Sequence, residues 1–580
     1  MRVLELTILL MYAAPVMGHA YDTSIFPVTR STMPTHQVNL DALIRREPFD
    51  SSSDASVLGH DPLFKLEELH HSKMYFRLLR KPDFQRETAN WPPAMIVDFV
   101  RTFLDNGLIP SIIIWHSKAT NNVFVIDGAH RVSALIAWVN DDYGAGEISN
   151  KAWGHAVPPE QKRLHTETKQ MMDEAIGSYA QLYDFGLNPE MTSDSVKRRR
   201  GKAIATMQLS IQKVEGDAAV AEESFYKINS SSVAIDDTEL DMIRARRKPN
   251  AIAVRALISA GKGYRYWENF ANAEEIEVKA AQGYHLLFGE TFDIGPQSPD
   301  LPRAGQPYSS EAFKMVLDLV NMFNGVTPAM WTHKTLTKKV AATVTPLLDD
   351  IDGTETLSFL ETIIDKSQIA VGGANYSGSL GLDQGVYAYG STGKMHSAAY
   401  LASLRFAVEL RESNRLVDFS VVRRDFEEFL VRHKLFINAL GHSKGSRTRS
   451  LEPILQMYRL LLKMMLDGER SDEKIVAALQ ADPMLKDLDS PLKEDAEPVR
   501  KKFSKSAVRA KLVAETLEGR RPCPVCGARL PPYCRSKDHT KKQEEGGMGN
   551  VENLDFTHPY CNSARDAIIA RRTAIEGSRS

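Results

Sequence analysis

What most limits the fold of this 580-residue chain lies near its end, between Cys523 and Asn562. Cys523 and Cys526 form a C-x-x-C pair, and His558 and Cys561 form an H-x-x-C pair. These are four nitrogen and sulfur donors of the kind that a tetrahedral structural zinc takes. All four cysteines of the chain fall in this segment. That placement speaks against a disulfide framework and for a reducing, cytoplasmic compartment. Cys534 is left with no assigned role.

Between the two pairs stand Asp538-His539, Gly546-Gly547 and Asn553-Leu554, and Asn562 follows the last ligand directly. In that order these residues resemble the HNH, or ββα-metal, nucleases. Hydrolysis of a phosphodiester needs a deprotonated water in line with the leaving oxygen and a cation on the phosphate oxygens. His539 is the natural base, because a histidine is near neutral at physiological pH. The resemblance implies a first strand ending at Asp538-His539, a second near Asn553-Leu554, and a helix presenting Asn562. It further implies that Asp538 and Asn562 hold one catalytic Mg²⁺ or Mn²⁺ through oxygen, and that Asn553 pins the loop and orients His539. His558 departs from the family's usual second C-x-x-C. A zinc ribbon that only holds shape is the competing reading, but it requires the four ligands alone and leaves Asp538, His539 and Asn562 unexplained.

The length calls for two to four domains. Composition is that of an ordinary globular protein, with 43% hydrophobic and 25% charged residues. Net charge is only −2, yet residues 500–580 hold 17 Lys and Arg against 9 Asp and Glu, so the basic surface belongs to the zinc end. The apolar run Val3 to Ala20 ends in small residues like a secretory signal. Glu5 inside it and the single Arg before it favour a core helix or a translation start placed too early. No other run is long and apolar enough to span a bilayer, so no membrane partner is expected.

Further upstream, Pro92-Pro93 opens a helix whose Ile96, Phe99, Val100, Phe103 and Leu104 share one face. Ile109 to Trp115 reads as a buried strand, Asn121-Asn122 as a turn, and Val123 to Ile126 as a second strand. Asp127-Gly128 then breaks the strand, and a helix follows with Val132, Leu135, Ile136 and Val139 inward. Such a strand-Gly-helix junction can hold an anion on free N–H groups, with Arg131 as a fork for phosphate. Asp127 suits a metal, a ribose or a partner Arg better than a phosphate.

Pro82, Phe84, Gln85, Arg86 and Trp91, then I-P-S-I at 109 to 112 and I-D-G-A-H-R at 126 to 131, resemble the ParB/sulfiredoxin-like N-terminal domain of GmrSD-type restriction proteins. Ala129 and His130 replace the two Gln of the usual D-G-Q-Q-R, and D-G-x-H-R is also similar to DndB-type relatives. The resemblance implies a nucleotide-sensing or nucleotide-hydrolysing domain, with a nucleoside triphosphate held by Gln85, Arg86, Asp127, Gly128, His130 and Arg131. Phe225 to Asn229, followed by Asp237 to Leu240 and the basic run Arg244 to Lys248, looks like the same family's next block. Its bland reading is an Asn at a strand end, with Arg244, Arg246 and Arg247 on a solvated face. Lys197 to Arg200 reads the same way.

From about 250 to 470 the chain is mainly helical, with core stripes at Phe426, Phe429, Leu430, His433, Phe436, Ile437 and Leu440 and again at Pro453 to Leu466. Gly390 to Lys394 (G-S-T-G-K) fails the phosphate-loop template, since Ala388 stands in place of its first Gly and Met395 in place of its Ser or Thr. It reads as a loop beside a buried strand or helix at Val386 to Tyr389. Residues 467–520 are charged and broken by prolines.

The expected architecture is therefore α+β and multidomain. It has an extension over 1–60, a ParB/sulfiredoxin-like α/β domain over 61–250, a helical domain over 251–470, a charged connector over 471–515 and a small zinc-stabilised ββα-metal domain over 516–580. The expected activity is cleavage of DNA, gated by nucleotide and by modification of phage DNA, in prokaryotic defence. One ββα site cuts one strand, so a double-strand break would need a homodimer or two visits; RNA as substrate stays open. A ParB-like DNA clamp whose zinc end is only an anchor is the alternative.

Overall fold

A computed structural model describes residues 37–47, 49, 63–85, 88–89, 91–153, 157, 159–231, 237–262, 265–289, 310–332, 344–442, 447–488 and 503–577. The apolar run at 3–20 and the site candidate Arg86 lie outside these residues.

The N-terminal part is built on a mixed six-stranded sheet of β1 (Arg46–Glu47), β2 (Leu63–Lys65), β3 (Leu79–Pro82), β4 (Ile112–His116), β5 (Val123–Asp127) and β6 (Gln208–Lys213), in the order β1-β3-β5-β4-β6-β2. β4 and β5 form an antiparallel hairpin at its centre, and β3 and β6 join it in parallel. Alternation along the hairpin feeds two cores. Ile112, Ile114, Val123 and Val125 face the helices Pro93–Leu104 and Ala129–Val139, while Trp115, Phe124 and Ile126 face an aromatic cluster around Phe49 and Phe84. Phe49 meets Phe84, Trp115 and Phe124 edge to face, with ring centres 4.9 to 5.1 Å apart. Burial on both faces explains the unbroken apolar runs.

Two expectations change here. The strand foreseen from Ile109 begins only at Ile112, because Pro110 has no N–H for the ladder and its carbonyl is taken by Arg131. Phe225 to Asn229 is not a strand end. It lies within the helix Ala218–Ser231, which covers the aromatic face of the sheet with Phe225.

The second part is helical. The helix Pro249–Ile258 is buried, on all but its Arg255 side, among Ala273–Phe288, Ser310–Phe323 and Thr354–Val371. The helix Ser397–Glu412 is similarly enclosed and packs on Arg447–Leu466. The stripe from Phe426 to Leu440 is shared by two helices, Leu416–Arg432 and Leu435–His442, with His433 between them stacked on Phe436 and 2.9 Å from Asp472. The G-S-T-G-K segment is a tight turn closed by hydrogen bonds of 3.0 Å from Gly390 N–H to the Lys394 carbonyl and from Gly393 N–H to the Gly390 carbonyl.

The basic runs are divided: Arg244, Arg247 and Arg199 are exposed, as a solvated face requires, whereas Arg246 and Arg200 turn into the fold. Arg246 is half-buried between Asp83 and Glu222, 3.2 Å from each. Arg199 and Arg200 both reach Asp105, at 3.2 and 2.7 Å. Among the described residues no helix is long and apolar enough to cross a membrane.

Candidate functional site

At the C-terminal end β7 (Ser536–His539) pairs antiparallel with β8 (Leu554–Thr557), and two helices, Pro559–Ser563 and Arg565–Gly577, follow. The first zinc-type knuckle closes through 2.8 Å hydrogen bonds from Cys523 N–H to the Ala528 carbonyl and from Gly527 N–H to the Cys523 carbonyl. Cys523, Cys526, His558 and Cys561 are all buried, with donor atoms within 4.8 Å of one another. Nδ1 of His558 lies 3.5 Å from Cys526 Sγ and 3.8 Å from Cys561 Sγ. A tetrahedron with Zn–S of about 2.3 Å and Zn–N of about 2.0 Å has N–S edges of about 3.5 Å, so this set fits zinc. Nε2 of His558 meets the Arg529 carbonyl at 2.9 Å, which directs the Nδ1 lone pair inward. Burial and the neighbouring Arg423 keep His558 below its ordinary value, in the neutral form that binds metal. Hydrogen bonds from Cys526 and Cys561 hold Cys523 far below the usual thiol range.

Under the cluster lies a pair that sequence reading missed. Arg423 and Glu427 are fully buried and 2.7 Å apart. Arg423 also donates to the Leu380 and Gly381 carbonyls at 2.6 and 3.1 Å, and Tyr387 donates its hydroxyl to Glu427 at 3.1 Å. Burial opposes the charge of Arg423, but Glu427 and Cys526 hold it well above its ordinary value. The i, i+4 spacing of Arg423 and Glu427 was readable, but an ordinary exposed helix pair has the same spacing.

Asp538 and His539 end β7 side by side. Asp538 is buried and ion-paired with Arg565, which also donates to the His539 carbonyl at 3.0 Å. Desolvation raises the Asp538 carboxyl, and Arg565 works against that rise. His539 is half-buried, with Nε2 3.3 Å from the Gln543 amide nitrogen. Asn562 donates from Nδ2 to Ser536 Oγ at 3.1 Å and to the Lys537 carbonyl at 2.8 Å, which leaves Oδ1 as the acceptor. Asn553 holds the intervening loop. Its Oδ1 accepts from Lys541 N–H at 2.6 Å, and its Nδ2 donates to the Lys541 and Met548 carbonyls at 3.0 and 2.8 Å. Gly547 packs on the same spot, where an added Cβ would lie 1.9 Å from the Lys541 carbonyl oxygen. Arg565 was not singled out from the sequence. It stands three residues past Asn562, and both side chains reach the β7 backbone.

The zinc end is docked on the helical part. The helix Arg565–Gly577 packs against Leu416–Arg432, and Arg571 reaches Asp418 at 2.7 Å. Arg520 pairs with buried Asp383 at 3.0 Å, Tyr533 donates to the Leu382 carbonyl at 2.6 Å, and Tyr560 N–H donates to the Ser379 carbonyl at 2.9 Å. Cys534 is buried in this joint against Gly381, whose φ is +57° and whose added Cβ would lie 2.3 Å from the Cys534 sulfur.

The other candidate residues gather at the end of β5. Asp127 and Arg131 form a 2.7 Å ion pair, and Arg131 also donates to the Pro110 carbonyl at 2.6 Å. The fork foreseen for phosphate is thus engaged within the chain. Gly128, at φ +93°, caps the helix Ala129–Val139. His130 lies against Trp91 with ring centres 5.7 Å apart. Gln85 is buried, with Nε2 3.4 Å from the Ile126 carbonyl and Oε1 without a hydrogen-bond partner among the described residues.

No curated protein and no solved structure matches the chain. Residues 66–246 match the family model of the GmrSD restriction endonuclease, N-terminal domain, and this match, which stops short of the zinc end, supports a GmrSD-type restriction protein acting on DNA in phage defence.

Proposed function

We propose that the protein is a DNA endonuclease whose cutting site is the ββα unit over the zinc cluster, gated by a nucleotide at the Gln85–Arg131 end and by modification of the DNA. The observation that carries this reading is the convergence of Asp538, His539 and Asn562 on β7 beside a cluster that suits zinc. Zinc alone would need none of those three.

In this reading zinc is structural and fixes the two strands to the helix. The carboxylate of Asp538 and the free Oδ1 of Asn562 are hard oxygen donors of the kind Mg²⁺ or Mn²⁺ takes. Bound there, such a cation supplies positive charge for the phosphate oxygens. His539 accepts the proton of the attacking water. The Gln543 amide now occupies the lone pair at Nε2, so a water acting there takes its place. Asn553 and Gly547 keep the loop that carries Gln543 in register with His539. Arg565 holds the Asp538 carboxylate charged against its burial. At the other end, opening of the Asp127–Arg131 pair would free the fork for a nucleotide phosphate.

The Asp538–Arg565 ion pair is also what a purely structural end would show, and it favours the alternative of a DNA clamp that does not cut. The test compares wild type, His539→Ala and Cys523→Ser on modified phage DNA and on the same sequence unmodified, with Mg²⁺ and with each nucleoside triphosphate in turn. His539→Ala is expected to lose at least a hundredfold in cleavage while keeping zinc and fold. Cys523→Ser is expected to lose the fold of the C-terminal unit. Binding without cleavage by wild type in every condition would establish the clamp instead.

A further inference from the structure

A cavity of about 370 Å³ lies where the sheet part meets the helical part, at the small end of the range of roughly 300–1,000 Å³ typical of small-molecule sites. None of the residues at the Asp127–Arg131 end lines it. Asp41 and Arg265 on its wall are already satisfied, Asp41 by Arg46 and Lys81 at 2.9 and 2.5 Å and Arg265 by Glu277 at 2.7 Å. Arg45, Lys151, Arg255 and Lys262 also line it, and among the described residues none of them has a carboxylate partner. The only other carboxylate on the wall is Glu268.

Exposed lysines and arginines alone are an ordinary solvated rim, and Arg45, Lys151 and Lys262 are exposed. Arg255 is different. It is half-buried, its guanidinium lies 4.2 Å from the centre of the Tyr266 ring, and its Nη2 meets the Met242 carbonyl only at 3.5 Å. A half-buried guanidinium on the wall of a cavity, with no carboxylate partner among the described residues and three more such cations beside it, calls for an anion. A phosphate group answers it, since its oxygens match the planar guanidinium fork and the lysines add point charge.

We propose that this cavity binds a phosphorylated small molecule, with Arg255 at its floor and Arg45, Lys151 and Lys262 at its rim. Arg45 and Lys151 come from the sheet part, whereas Arg255 and Lys262 come from the helical part. The ligand therefore shares its charge between the two and ties them together. The site is separate from the proposed cutting site and from the Asp127–Arg131 end.

The test is titration calorimetry on the full-length protein with orthophosphate, pyrophosphate and ATP as separate probes. Wild type is expected to bind pyrophosphate, and both Arg255→Met and the Lys151→Ala/Lys262→Ala double variant are expected to weaken it at least tenfold. The two lysines are exposed, so the double variant decides the matter even if Arg255→Met fails to fold. Binding of ATP more tightly than pyrophosphate assigns a nucleotide, and equal or weaker binding assigns the phosphate group alone. No binding of any probe by wild type overturns the proposal, as does wild-type affinity in the double variant. Binding lost only in Arg131→Ala moves the ligand to the Asp127 end and also overturns it. None of these outcomes bears on DNA cleavage, which the His539 comparison decides separately.

Discussion

At the residue scale Gly547 has the tightest approach to backbone of any glycine among the described residues. Its missing Cβ is where the Lys541 carbonyl and the Asn553 amide meet, so any side chain must push the loop off Asn553. Gly547→Ala is expected to reduce DNA cleavage at least tenfold while leaving zinc content unchanged, checked by cleavage assay and metal analysis on the same preparation. Asp41 carries a pH prediction. Burial would raise its carboxyl, but Arg46, Lys81 and the Thr88 N–H hold it well below the ordinary range. A carboxyl depressed in the folded state adds stability that is complete above its unfolded value of about 3.9 and is lost as pH falls towards the folded value. Thermal unfolding followed from pH 6 down to pH 3 should show wild type losing its advantage over Asp41→Asn across the acid end of that window.

At the element scale the energetic centre is the buried pair Arg423–Glu427. Removing one partner leaves the other as an uncompensated buried charge, so Glu427→Ala is expected to cost about 3–5 kcal/mol, read from the urea unfolding midpoint. Chelation of zinc should weaken the same joint, and partial proteolysis should then cut first between residues 520 and 577. The legibility of these elements followed their physics. The hairpin β4–β5 and its helix could be read because alternation and 3.6-residue periodicity are local properties. The two knuckles could be read because metal ligation imposes spacing directly. The pairing of Asp538 with Arg565 and of Arg246 with Asp83 and Glu222 could not be, because the chain gives no local sign of which charge a basic residue will meet. Phe225 to Asn229 misled for a similar reason: apolar residues running up to an Asn fit a strand end as well as a helix, and only the aromatic face of the sheet, which Phe225 covers, decides between them.

At the scale of the whole molecule the charge is divided, with the basic excess at the zinc end. Arg535, just before β7, and Lys537, within it, are exposed where a duplex on the proposed cutting site would run. Arg535→Ala and Lys537→Ala are each expected to weaken DNA binding by a similar factor whatever the sequence, and to lower the slope of log affinity against log salt by about one. A salt titration by fluorescence anisotropy checks this. The joint at Gly381 bears on whether the zinc end can stand alone. The surface that meets Cys534 tolerates no side chain at Gly381, and the helical part supplies the arginine that sits beneath the ligands. Transplanting the last sixty or so residues onto another protein would therefore carry the proposed cutting residues but leave their underside bare, so the two halves are to be engineered as one.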